Sequence, residues 1–252
     1  MPVISPLRSG PPASAKPLSL SCDTCAVRDR SICASLNHDE LVKLNAISQF
    51  KNFDPGQTIL RTGDDQHFFA TVVSGAIKLT KSLSDGRQQI VGLQFPGDFL
   101  GRPWRRTSPY DATAANSVVL CMFSRAKFEQ LSQSNPGLGH TLLAHTLDGL
   151  DAAQDWLLLL GRKTATEKVA TLLTLMHQRL TPITPSSPIA EFDLPLTRAE
   201  MADCLGLTLE TVVRKMTALK SAGIIATRAS GRTITIRNPA ALQHAADQDT
   251  AP

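Results

Sequence analysis

The sequence predicts an α+β chain: an antiparallel β-roll, then a long dimerisation helix, then a C-terminal winged helix-turn-helix. Three observations predict it. Short β-type runs alternate with turn signals between Phe50 and Phe123, the spacing of a barrel or roll. Leu143, Leu147, Leu150, Gln154 and Leu157 repeat with spacings of four and three, the a/d seam of two helices packed side by side. From Thr197 onward, two capped helical segments flank Gly206 and lead into a pair of strands.

The elements follow in order. Residues 1–20 are rich in Pro, Ser and Ala without a period, which predicts a mobile tail. Cys22, Cys25 and Cys33 come next, and residues 1–36 form the first unit. The β-roll unit covers residues 37–136. It opens with a helix in which Asn37 and Glu40 make a capping box and Leu41, Leu44 and Ile47 form the apolar stripe. Its turns are marked by Gly63-Asp64-Asp65, Ser74-Gly75, Asp85-Gly86 and Pro96-Gly97-Asp98, with Asp85-Gly86 the strongest hairpin signal. The last strand is Val118 to Phe123. A short helix and Asn135-Pro136-Gly137 then lead into the seam helix, unit 137–161. The seam beside a β-domain predicts a homodimer, against the plainer reading of a monomer's core helix. The final unit, 162–252, holds a helix over 164–180, a Pro-rich loop over 182–195 and the winged helix.

Composition sets the outer limits. Of 252 residues, 42% are apolar and 19% charged, enough to build a core and to exclude wholesale disorder. The longest apolar run, Val118 to Phe123, is far short of a membrane span. Five cysteines is an odd number, which argues against a disulfide scaffold and for reduced thiols in the cytoplasm. The histidines and carboxylates show no nucleophile or hydrolase spacing and no phosphate loop appears, so an enzyme is not expected.

Thr197 with Glu200 caps the first helix of the helix-turn-helix, Ala202 is small where helices cross, and Thr208 caps the second helix. Val212, Met216 and Leu219 form that helix's inner face. Residues 223–227 and 233–236 alternate like strands around Ser230-Gly231, a wing. Between Thr197 and Arg237, seven Lys/Arg face three acids, so a surplus equal to the whole-chain charge of +4 lies there, as a phosphate-binding surface requires. Glu210, Val213 and Arg214 share a face at the end that would enter the major groove of double-stranded DNA. Glu210 can accept from cytosine, Arg214 can reach guanine or phosphate, and Val213 can meet a thymine methyl. Thr208, Thr211, Lys215 and Arg232 complete the candidate contacts. An ordinary αα-hairpin with a Glu210–Arg214 surface pair is the alternative.

From Cys22 to about Ala245 these features resemble the Crp/Fnr superfamily of bacterial transcription regulators, whose sensory domain is a cyclic-nucleotide-binding-like β-roll. The Gly206–Arg214 stretch and Asp155-Trp156-Leu157-Leu158-Leu159-Leu160 look like the FNR branch, and Leu209 is aliphatic where the cyclic-AMP-receptor branch has Arg. In that branch three N-terminal cysteines and one from the β-roll hold a [4Fe-4S] cluster. The resemblance implies the same for Cys22, Cys25, Cys33 and Cys121. Four thiolates suit such a cluster, although clustered cysteines also suit structural zinc and Cys121 also suits a plain core strand. The gap before the third cysteine is longer than in the branch's best-known member and resembles a variant spacing. Cys204 is expected to be a buried apolar residue.

The resemblance further implies an oxygen-responsive dimer that binds an inverted repeat like TTGAT-N4-ATCAA and works with RNA polymerase. Two positions depart from the pattern. Val213 replaces the usual Ser, and Ala153 replaces an acid next to Gln154-Asp155, with Asp148 and Asp151 nearby. The second departure implies a cluster-free form that dimerises more readily. No cyclic nucleotide is expected, because the phosphate-pairing Arg place holds Asp111 or Ala112. Arg102, Arg105 and Arg106 are expected to be a solvated loop, and His67 and His140 lack a haem motif.

Overall fold

A computed structural model describes residues 22–181, 190–228 and 231–247. The expected tail over 1–20, residues 182–189 of the Pro-rich loop and Ser230 at the wing tip lie outside the described residues.

The cysteine segment comes first, as two short 3-10 turns, Cys22–Thr24 and Arg28–Arg30. Helix α1 (His38–Ala46) follows, with both halves of the Asn37/Glu40 capping box in place. Eight strands then build the roll: β1 (Ser48–Phe53), β2 (Thr58–Leu60), β3 (Phe68–Ser74), β4 (Ile77–Ser82), β5 (Gln88–Gln94), β6 (Phe99–Leu100), β7 (Asp111–Ala114) and β8 (Val118–Ser124). They form two antiparallel sheets, ordered β1-β8-β3-β6 and β2-β7-β4-β5. The expected Asp85-Gly86 hairpin joins β4 to β5.

Because strand side chains alternate between faces, β8 divides its residues between two cores. Val118 and Leu120 point into the roll with Phe53, Val72, Ile77 and Leu100. Cys121 and Phe123 point outward into a second core with Phe69, Leu41, Leu44 and Ile32. That outer core is roofed by α1, the cysteine segment and two further helices, α2 (Arg125–Ser134) and α3 (Pro136–Arg162).

Helix α3 is the expected long helix, extended by one residue at each end. Asn135 caps it and Pro136 occupies its first turn. Its Leu138 and Leu142 are buried in the outer core, while Leu159 is buried in the C-terminal core. α4 (Ala165–Leu180) starts at a Thr164/Glu167 capping box. The helix-turn-helix is α5 (Arg198–Leu205) and α6 (Leu209–Ser221), with Gly206 between them in the left-handed region at φ +60°.

Two features of the C-terminal domain differ from expectation. Residues 182–195 are not all loop, since β9 (Ala190–Asp193) pairs with β11 (Thr233–Ile236), which pairs with β10 (Ile225–Thr227). The wing is therefore three-stranded. Phe192, Leu194 and Leu196 alternate into the core, a period-2 signal masked by the surrounding prolines. The last element among the described residues is a further helix, α7 (Pro239–Asp247), whose N-terminal Ala241 N–H donates to Asn238 Oδ1 at 2.9 Å.

Gly75 closes the β3–β4 turn at φ +85°. A Cβ there would lie 2.3 Å from the Ser117 carbonyl oxygen, whereas at Gly86 (φ +88°) it would meet nothing within 4 Å. Gly86→Ala is therefore expected to lower stability by about 1 kcal/mol, from backbone strain alone. Gly75→Ala adds a collision with backbone and is expected to cost about 2 kcal/mol or more. Urea unfolding midpoints of the two variants check the difference, and equal midpoints would contradict it.

Candidate nucleic-acid interface and cysteine site

The recognition surface rests on local capping chemistry. The Thr197 hydroxyl accepts from the Glu200 N–H at 3.2 Å, and Glu200 Oε2 accepts from the Thr197 N–H at 2.7 Å. The Leu207 N–H donates to the Ala202 carbonyl at 3.1 Å, which tightens the turn through Gly206. The Thr208 hydroxyl then accepts from the Thr211 N–H at 3.2 Å and starts α6. Val212, Met216 and Leu219 are buried, which fixes the rotation of α6 about its axis. The opposite face presents Glu210, Val213 and Arg214 to solvent. These positions, i, i+3 and i+4, share one face. No ion pair among the described residues joins Glu210 to Arg214. Thr211 and Lys215 flank them half-buried, and Thr208 and Arg232 are exposed.

The seven cations of this domain divide by role. Arg198 donates to the Gly231 carbonyl at 3.1 Å, and burial holds its pKa below the usual arginine value. Arg228 pairs with Glu191 at 2.6 Å. Both therefore brace the wing. Arg214, Lys220, Arg232 and Arg237 are exposed and Lys215 is half-exposed, so the basic surplus stays with the face of α6 and the wing.

The segment that carries Cys22, Cys25 and Cys33 packs over the outer face of the β1-β8-β3 sheet, the face that carries Cys121. Cys121 is buried on β8, with Phe50 and Thr71 as its cross-strand partners. Cys33 packs against the same core, and Cys22 donates from Sγ to Asn45 Oδ1 at 3.4 Å. All five cysteines are thiols, without a disulfide. Burial pushes the Cys121 thiol up to about 12, and Cys33, Cys22 and Cys25 each raise it further, against a lowering hydrogen bond from Ser48. Burial likewise pushes Cys33 up to about 11. The Ser31 hydroxyl and Arg28 lower it, while Cys22 and Cys25 raise it. Charge on Cys22 and Cys25 thus opposes ionisation of both Cys33 and Cys121.

Thr71 Oγ1 is buried without a hydrogen-bond partner, on the face of the sheet that carries Cys121. A hydroxyl donor beside a sulfur ligand is the arrangement that tunes thiolate-bound metals. The donor set and this unpaired hydroxyl therefore fit a thiolate-ligated group. Among the described residues, no three His, Cys, Asp or Glu side chains are grouped as the ligands of one metal ion. Cys204 lies apart, fully buried in α5, and burial pushes its thiol up to about 12.

The seam of α3 is uncovered in the protomer. Leu143, Leu147, Leu150 and Leu157 are 57%, 51%, 52% and 71% exposed, and Gln154 is exposed among them. Sequence reasoning missed how the two ends of the molecule join. Lys78 on β4 pairs with Glu200, and Gln89 Nε2 donates to the Cys204 carbonyl at 3.2 Å. Burial pushes the Glu200 carboxyl up, but Lys78 and the Thr197 backbone outweigh it and hold its pKa low. These partners are more than a hundred residues apart, and no local pattern marks them.

Known proteins share this organisation. The cyclic nucleotide-binding domain family matches residues 50–135, and the Crp-like helix-turn-helix domain family matches residues 167–245. The transcriptional activator protein FnrL of Cereibacter sphaeroides is 46% identical over 90% of this chain and 92% of its own. The chain belongs to the Crp/Fnr family of transcription regulators.

Among other family members, the nitrogen fixation regulation protein FixK of Bradyrhizobium diazoefficiens is 36% identical over 88% of this chain and 92% of its own. The solved structure of FixK2 from Bradyrhizobium japonicum superposes with a TM-score of 0.72 at 33% identity, covering 81% of this chain and all of that one. These relatives are regulators rather than enzymes, and the helix-turn-helix of this Crp/Fnr protein makes it a DNA-binding one. No helix among the described residues is long and apolar enough to cross a membrane.

The thiol environments set an order of reactivity for this Crp/Fnr protein. Only the thiolate is nucleophilic. Cys33 and Cys121 have raised pKa values of about 11 and about 12, so they stay protonated as pH rises through the ordinary thiol value of 9.0. In metal-free protein at pH 8, iodoacetamide is expected to modify Cys22 and Cys25 first. Cys33 and Cys121 follow at least tenfold more slowly, and Cys204 reacts only after unfolding. Peptide mass mapping over time checks the order, and early labelling of Cys121 would contradict it.

Proposed function

We propose that this regulator binds an inverted-repeat operator as a homodimer. We further propose that oxygen controls the binding through a [4Fe-4S] cluster held by Cys22, Cys25, Cys33 and Cys121. The observation that supports the reading is the packing of the Cys33 segment against the sheet face that carries Cys121, beside the unpaired Thr71 hydroxyl. The relationship to FnrL and to the fumarate nitrate reduction regulatory protein of Klebsiella oxytoca, 30% identical over 91% of this chain, supports it.

Left alone, Cys33 and Cys121 favour their neutral forms, because burial and the charge of neighbouring thiols oppose ionisation. When bound, the cluster supplies compensating positive charge and an oxygen-labile link between segments. The chain's own residues carry the consequence. Cys22, Cys25 and Cys33 tie the N-terminal segment to Cys121 on β8. That segment also touches α3 directly, where Thr141 and Ser35 share a hydroxyl hydrogen bond of 2.5 Å. The N-terminal end of α3 is thereby set, and its exposed leucines are offered to a second copy. Pairing along α3 would place two copies of α6 for successive half-sites of a repeat such as TTGAT-N4-ATCAA. RNA polymerase is the expected onward partner, and the cytoplasm the expected location.

A cyclic nucleotide is not the proposed signal. Asp111 Oδ1 already accepts from the Thr62 N–H at 2.7 Å, and Ala112 is fully buried, so neither position offers a cation to a phosphodiester.

Anaerobic purification, with iron, sulfide and the visible spectrum measured before and after air, tests the sensing claim. About four iron and four sulfide per chain, lost in air, are expected. Zinc in place of iron would overturn that claim and leave DNA binding standing. Sedimentation of the same two samples reads the dimer, with a partial rather than complete shift to monomer expected in air because Ala153 lacks the acid. Arg214→Ala is expected to weaken operator binding about ten- to a hundredfold at fixed salt, with non-specific binding little changed. A gel shift showing unchanged operator affinity would remove Arg214 from base reading.

A further inference from the structure

The contact between the cysteine segment and the roll has a second side, at the turn between β5 and β6. Gly97 in this turn has φ +101°, and a Cβ on it would lie 2.8 Å from the Arg30 carbonyl oxygen and 3.1 Å from Arg30 Cγ. The segment between Cys25 and Cys33 thus lies directly on the turn. The next residue, Asp98, uses both carboxylate oxygens. Oδ2 accepts from the Phe95 N–H at 2.8 Å and closes the turn, while Oδ1 pairs with Arg179 near the end of α4. The Arg179 guanidinium also sits over the Phe95 ring, 5.7 Å from its centroid, and Phe95 is buried in the core shared with the C-terminal domain. The turn is anchored from below, where the Gly97 N–H donates to the Val72 carbonyl and the Val72 N–H to the Asp98 carbonyl, at 2.8 and 3.0 Å.

We propose that this turn is a joint through which the cysteine segment positions the DNA-binding domain, with Asp98 and Arg179 as its positioning residues. One carboxylate spans the two bodies, so a displacement of Arg30 that shifts Gly97 also moves the acceptor that holds α4. Among the described residues, the contacts Lys78–Glu200 and Gln89–Cys204 also join roll and C-terminal domain, and neither involves the cysteine segment. The joint gives the segment a route to the DNA-binding domain separate from α3. Its trigger rests on the cluster reading, while the mechanical link does not.

The test is amide hydrogen exchange on the full chain, both anaerobically purified and after chelation. Arg179→Met removes the charge from a side chain that is 42% exposed, so folding is not at stake. It is expected to speed exchange about fivefold at the Phe95 amide and at the Arg30 and Ser31 amides of the cysteine segment. Arg179→Lys should restore the wild-type rates, and Asp98→Asn should reproduce the Met variant. Lys78→Met is expected to leave Arg30 and Ser31 unchanged. If Arg179→Met leaves Arg30 and Ser31 at wild-type rates, or Lys78→Met loosens them equally, the joint is overturned. The chelated sample decides the mechanical link whether or not the native protein holds iron. In the anaerobic protein, Arg179→Met should also shrink the ratio of operator affinities before and after air, with iron content unchanged.

Discussion

The molecule depends on one constraint, that a single unbroken helix is buried at both ends in different cores. Helix α3 has 27 residues and spans roughly 40 Å. Leu138 and Leu142 anchor one end among α1, α2 and the cysteine segment, and Leu159 anchors the other among α4 and the winged helix. Between these anchors the helix is apolar on a face that none of the described residues covers. Burying an exposed leucine stabilises by about 1.5–3 kcal/mol, so four such residues in register give a strong drive for a second copy to lie alongside. Fixing both ends also makes α3 a rigid spacer. Whatever sets its N-terminal end sets the position from which α4 and the DNA-binding domain depart.

The cysteine site lies at that N-terminal end and belongs to the outer face of the roll rather than its interior. This follows from the period of two along β8, which sends Leu120 inward and Cys121 outward. A cysteine one residue earlier, in the place of the fully buried Leu120, would have been sealed inside the roll, out of reach of the N-terminal segment. The placement also carries an electrostatic demand. The buried thiols of Cys33 and Cys121, with raised pKa values, would ionise to act as ligands only with a compensating cation. Under the proposed cluster reading, occupancy of the site and the packing of the segment over the sheet would be linked, because metal binding there would draw on the same free energy that holds residues 22–36 in place.

Much of this was legible in the sequence because the relevant signals are local. The Asn37/Glu40 and Thr197/Glu200 boxes, the Asp85-Gly86 hairpin, the left-handed Gly206 and the inner face of α6 all follow from chemistry within four residues. The exposed leucines of α3 followed from periodicity alone. What escaped has equally physical reasons. In β9, alternation at Phe192, Leu194 and Leu196 was obscured by the Pro-rich text around it. Asn238-Pro239 marks the start of α7 as Asn135-Pro136 marks α3, but its helix is short and close to the chain's end. The contacts Lys78–Glu200 and Asp98–Arg179 join residues 122 and 81 positions apart, and charge pairs of that separation leave no periodic trace.

Those long-range pairs share a feature that bears on how the two ends of the molecule move together. Each uses a carboxylate that already has a local duty. Glu200 closes the capping box of α5 through Oε2 while pairing with Lys78 through Oε1. Asp98 closes its turn through Oδ2 while pairing with Arg179 through Oδ1. An exposed ion pair alone contributes at most about 1 kcal/mol, because two flexible side chains must be ordered to make it. Here the acid is already ordered by the backbone it caps, so that ordering loss falls mainly on the cation. The pairs are consequently geometric as well as electrostatic. Moving either cation pulls on a helix start or a turn, and a shift of those backbone elements is transmitted to the partner domain without an intervening flexible side chain on the acidic side. While both pairs stay intact, the DNA-binding domain changes its orientation only with a turn or a helix cap.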